Sequence, residues 1–142
     1  MSTTTINTPI PKTVSFDAMV NTLHKHPLMI AALAPAAITH SLTSGDPGSH
    51  AVYSVTDKKP MVGETTYSLT LTNTADGIDT LVSAKPPVGI LLIASKWRVV
   101  NGELREDVDI DANFMVKRVA KGNVEKNHAA QHLILIEDAQ KA

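Results

Sequence analysis

The chain has 142 residues, a net charge of −1 and 43% apolar residues, enough for one domain enclosing a real core. Its basic residues are scattered, which excludes the basic stripe of a nucleic-acid surface. It has no cysteine, which excludes disulfides and thiolate chemistry.

Thr3 to Pro9 alternates weakly and reads as a first strand, closed by Pro9 and Pro11. Ser15 suits an N-cap, followed by Phe16, Met19, Val20 and Leu23 at helical spacing. Pro27 is expected to end or bend that helix, with Leu28 to Leu33 forming a second short one before Pro35. From Ile38 the period changes to two. Ile38, His40 and Leu42 alternate with polar residues up to SGDPGS, and Ala51, Tyr53 and Val55 continue the pattern. Tyr67, Leu69 and Leu71 make a half-buried strand, and Ile78 to Ala84 follows the loop from Asn73 to Gly77. Pro86-Pro87-Val88-Gly89 then breaks the run.

The next pair of strands has a readable register. Asn101-Gly102 between two strand-like runs signals a two-residue type I′ turn. That turn sets Val100 opposite Glu103, Val99 opposite Leu104, Trp97 opposite Glu106, Ser95 opposite Val108 and Ile93 opposite Ile110. One face is then apolar except for Ser95 and Glu106. The other carries Lys96, Arg98, Arg105, Asp107, Asp109 and Asp111, and reads as a solvated surface.

After Ala112 the pattern becomes helical to about Glu137, with Met115, Val119, Ala129, Leu133 and Ile136 expected inward. Gly122 weakens that helix by about 1 kcal/mol relative to alanine and marks a candidate bend. The longest apolar run, Pro27 to Ile38, is too short to span a bilayer, and the N-terminus lacks a signal-peptide layout, so a cytoplasmic location is expected. One α+β domain over 1–142 follows, in which a curved antiparallel sheet wraps a long C-terminal helix and two short helices follow the first strand.

This order of elements resembles the START-like, or helix-grip, superfamily, which includes polyketide cyclase/dehydrase families. More specifically, Lys96-Trp97-Arg98-Val99, Leu104-Arg105-Glu106-Asp107-Val108-Asp109-Ile110, Met115-Val116-Lys117-Arg118 and Asn127-His128 resemble an uncharacterised fungal family of small proteins in that superfamily. Leu23-His24-Lys25-His26 with Met29-Ile30 resembles the helical entry of the same family. The chain departs from it between Trp97 and Leu104, where a tight hairpin replaces a longer connection. The resemblance implies an internal cavity between sheet and helix that relatives use for hydrophobic ligands. It carries over no catalytic residue.

Glu106 is the lone carboxylate on an apolar face, beside Trp97. Such a group reaches solvent at the hairpin edge, is satisfied by a buried backbone or arginine partner, or is poised for proton transfer with a raised pKa. His40, in phase with Ile38 and Leu42, is expected to share that inner face, and either His40 or a tyrosine, Tyr53 or Tyr67, is the expected partner of Glu106 across the pocket. A cavity lined by Tyr53, Tyr67, Leu69, Leu71, Trp97, Val99, Met115 and Val119, with His40, is expected. His128 and His132 at i, i+4 suit two metal ligands, but no third ligand stands at a diagnostic spacing, so no metal is expected. No cofactor motif is present.

Three classes stay open. One is a cofactor-independent enzyme of natural-product biosynthesis, a cyclase, isomerase or lyase acting on a polyketide- or terpenoid-like molecule by cyclisation, isomerisation or dehydration. Another is a non-catalytic carrier of a hydrophobic ligand. The third is a partner-binding module with a closed cavity. The expected partner is a hydrophobic small molecule, with no nucleic acid and no membrane span, and a homodimer stays open.

Overall fold

The computed structural model describes residues 2–60, 63–84, 90–112 and 114–141. The elements run β1 (Ser2–Pro9), α1 (Phe16–Leu23), α2 (His26–Leu33), β2 (Ala37–Asp46), β3 (His50–Lys59), β4 (Gly63–Thr74), β5 (Gly77–Ala84), β6 (Leu91–Val100), β7 (Glu103–Asp111) and α3 (Phe114–Lys141). The strands pair antiparallel in one seven-stranded sheet of order β1-β7-β6-β5-β4-β3-β2. This is the helix-grip architecture. The break expected at Pro86-Pro87-Val88-Gly89 lies outside the described residues.

Local chemistry accounts for the element ends. The Ser15 hydroxyl accepts from the amide of Ala18 and caps α1. Pro27 does not end α1; it lies in the first turn of α2, where a missing N–H costs nothing. Asn101 and Gly102 both take positive φ, 52° and 75°, as a type I′ turn demands. All five cross-strand pairs expected from that turn are formed.

α3 packs against α1, α2, β1 and β7, so it covers one part of the sheet and leaves the far edge open. β2 is exposed along nearly its whole length. The buried stripe of α3 passes through Ala120, Val124, Gln131, His132, Leu135, Ile136 and Ala139. This corrects two expectations: Ala129 is exposed and Leu133 is 62% exposed. Hydrophobicity alone set the expected phase; in the fold, contact with Glu106 turns two imidazoles inward instead.

Apolar burial falls into two clusters. The larger joins α1, α2 and the end of α3 to the inner face of β3 to β7 through Leu69, Leu71, Ile78, Trp97 and Leu104. The smaller joins Val108 and Ile110 on β7 to Ala120 and Val124 on α3. A hollow opens between them.

Candidate functional site

Alternation along β6 and β7 puts Ser95, Trp97, Glu106 and Val108 on the inner face. On α3, His128 and His132 stand one turn apart and share a side. Glu106 is completely buried, and its two oxygens are divided between these rings. Nδ1 of His128 lies 2.6 Å from Oε2, and Nε2 of His132 lies 3.0 Å from Oε1. His132, also completely buried, has its Nδ1 2.9 Å from the Thr8 hydroxyl on β1.

A carboxylate only accepts, so both imidazoles donate to Glu106. A neutral His132 then accepts from the Thr8 hydroxyl, and both of its nitrogens are satisfied. A neutral His128 carries its proton on Nδ1 and a lone pair on Nε2, which has no hydrogen-bond partner among the described residues. Trp97 roofs the cluster. Its ring stacks on His128 at 6.2 Å and 20°, lies tilted on His132 at 4.9 Å, and its indole N–H donates to Thr80 Oγ1 at 3.3 Å.

Two influences compete at Glu106. Burial is the largest and raises its pKa, since a charged carboxylate loses its hydration. Hydrogen bonds from His128 and His132, the charge of His128 and a hydrogen bond from Ser95 act the other way and together prevail. The carboxyl is held below its ordinary value, contrary to the raised pKa expected from an apolar wall alone.

His128 is also a wall of the hollow between the clusters, a cavity of about 330 Å³. Val82, Leu91, Ile93 and Val124 supply its apolar lining, with Tyr67, Thr80, Ser95 and Gln131 as polar points. The Tyr67 hydroxyl donates to Asp57 Oδ1 at 3.2 Å. Burial, then the charge and hydrogen bond of Asp57, push its pKa well above that of an ordinary phenol, so it stays a neutral donor.

The sequence-derived candidates are distributed as follows. Glu106 lies behind the cavity wall, and Tyr67 lines the cavity. Trp97 backs His128. Leu69, Leu71 and Val99 are buried in the larger apolar cluster, beneath the short helices rather than against the cavity. Tyr53 is buried with its hydroxyl 2.8 Å from Nδ1 of the buried His26. His40 is exposed on β2 and is not brought to Glu106. It pairs with Val55 and so has the expected facing, but α3 packs on β1 and β7, at the opposite edge of the sheet. The side chains of Met115 and Val119 lie outside the described residues. Sharing a strand face set the inward direction of these residues; which layer covers each depends on position along the strand. His128, His132, Gln131 and Thr8 were not expected here. The signal for the two histidines was their i, i+4 spacing opposite a lone inward carboxylate; Gln131 and Thr8 left no such trace.

Among the described residues no helix is long and apolar enough to cross a membrane. The fold is shared with solved structures at low identity. The Zhui aromatase/cyclase from Streptomyces sp. R1128 superposes with a TM-score of 0.68 at 11% identity, over 99% of this chain and 94% of that one. Ara h 8.0201 gives 0.64 at 11% identity, over 99% and 100% of the two chains. The STAR-related lipid transfer protein from Xanthomonas axonopodis gives 0.56 at 12% identity, over 94% and 85%. No curated protein matches the sequence. A family model described as a domain of unknown function (DUF7053) matches residues 1–141, and the chain belongs to that family.

Proposed function

We propose that this protein binds a hydrophobic small molecule in the cavity between sheet and α3 and moves a proton on it without a cofactor. The observation that carries this reading is the Glu106–His128 pair at 2.6 Å, one member buried and the other lining the cavity. A carboxylate behind an imidazole fixes its tautomer, orients its ring and stabilises the imidazolium formed when it takes a proton. His128 Nε2 is then the base, and Glu106 is a positioning residue. The Thr80 hydroxyl, whose oxygen accepts from Trp97 and whose hydrogen is left to donate, is within the same lining to meet negative charge developing on a ligand oxygen. Proton removal and return at a second atom is an isomerisation; return to a hydroxyl that leaves as water is a dehydration. Either can set up a cyclisation in a ligand held folded. Polyketide- or terpenoid-like molecules suit an apolar cavity with a few convergent polar groups, and two of the fold neighbours are named for aromatase/cyclase or lipid-transfer activity.

The carrier reading is favoured by one fact: Glu106 and His132 have all their partners inside the fold, as a structural cluster would. Deuterium exchange at the acidic carbon of β-tetralone in D2O separates the two. The enzyme reading expects exchange catalysed by the unmodified protein, slowed about 10²–10⁴-fold in His128→Ala, with β-tetralone binding kept. Binding with no exchange above that of His128→Ala would leave a carrier.

A further inference from the structure

Gln131 is 7% exposed and lines the cavity, yet its Oε1 is buried without any hydrogen-bond partner. An acceptor left in that condition costs stability unless something occupies it. Every other buried polar side chain nearby is spoken for: Thr80 accepts from Trp97, and His132 is held on both nitrogens. Gln131 stands three residues from His128 on α3, so the two side chains are neighbours on one side of the helix, about 5–6 Å apart at Cβ. The open nitrogen of His128 is likewise an acceptor in its neutral form. The cavity therefore offers two adjacent acceptors and no guanidinium or ammonium group among its described lining residues, while Asp57 adds a carboxylate.

We infer that the cavity selects a neutral ligand bearing two hydroxyl donors, a phenol- or enol-type diol, with Gln131 Oε1 as the specificity-determining acceptor and His128 Nε2 receiving the second hydroxyl. Anionic ligands such as fatty acids are disfavoured, because the described lining already carries the Asp57 carboxylate and has no guanidinium or ammonium group to balance a second negative charge. This rests on the cavity being the ligand site, as proposed above, and not on any proton being moved there.

Calorimetric titration of the intact protein with naphthalene, naphthoresorcinol and naphthoate tests the assignment. The three share an apolar body and differ only in what they present to the acceptors. The expected order is naphthoresorcinol tightest, naphthalene next and naphthoate weakest. In Gln131→Leu, the affinity for naphthoresorcinol falls roughly threefold to tenfold, the effect of one hydrogen bond, while naphthalene binds as well or better. Gln131→Met provides the same comparison in a second apolar replacement. An unmodified protein that binds all three alike, or naphthoate best, overturns the donor assignment and leaves the cavity reading standing. A preference for naphthoresorcinol undiminished in both variants overturns the role of Gln131. Failure of all three to bind overturns both the assignment and the cavity reading.

Discussion

Glu106 shows how one carboxylate can sit at zero exposure without being neutral. Its burial costs hydration, but each oxygen accepts from a ring nitrogen at hydrogen-bond distance, and His132 is anchored in turn by Thr8. Because its folded pKa lies below the ordinary 4.5, the ionised group stabilises the fold at every pH above about 4.5. That contribution is lost as pH falls through the lowered value. In urea unfolding, the native protein should therefore lose stability on going from about pH 5 to about pH 3. Glu106→Gln should be destabilised by about 1–3 kcal/mol near pH 7, since an amide cannot accept from both rings, and should lose less on acidification. An equal acid response in the two forms would show that Glu106 is not held ionised. In the β-tetralone assay the proposed roles predict that the same substitution slows exchange less than His128→Ala does, because it would remove the support of the proposed base and not that base itself.

At the level of elements, one substitution is expected to act with opposite sign at two glycines. Gly122 is exposed in the middle of α3, and a methyl group there would meet nothing within 4 Å. Gly122→Ala should raise stability by about 0.5–1 kcal/mol, through the helix propensity of alanine, seen as a higher melting temperature. At Gly77 the same methyl would run into the backbone carbonyl of Trp97 on β6. Backbone cannot step aside without opening the β5–β6 ladder beside the site. Gly77→Ala should cost about 1–3 kcal/mol or more, and the melting temperature should fall accordingly. A neutral Gly77→Ala would mean that the two strands pair less closely than described.

For the molecule as a whole, the hollow between the two apolar clusters is the feature on which the proposed function turns. Ala120, 7% exposed, belongs to the smaller cluster and lines the hollow. Ala120→Phe should fill it and abolish naphthalene binding in the titration, while the melting temperature holds or rises, as cavity filling commonly adds about 0.5–2 kcal/mol. Retained binding would place the ligand elsewhere.

What the sequence by itself determined was local. Asn101-Gly102 has one comfortable turn geometry, and a two-residue turn leaves no freedom in pairing, so Trp97 opposite Glu106 and the inward facing of both follow from the residues alone. The change of period from two to 3.6 near Ala112 likewise places α3, because periodicity is set by backbone geometry. Tertiary packing decided everything that joins distant segments. The phase of α3 is one such matter: it brings His128 and His132 to a carboxylate 22 and 26 residues earlier, and leaves Leu133 in water. Coverage is another: α3 lies over β1 and β7, so His40 on β2 has the right facing but stands at the opposite edge of the sheet. The charge state of Glu106 is the third. An apolar face alone argues for a raised pKa, and the two donors arriving from α3, with the charge of His128 and the Ser95 hydroxyl, reverse it.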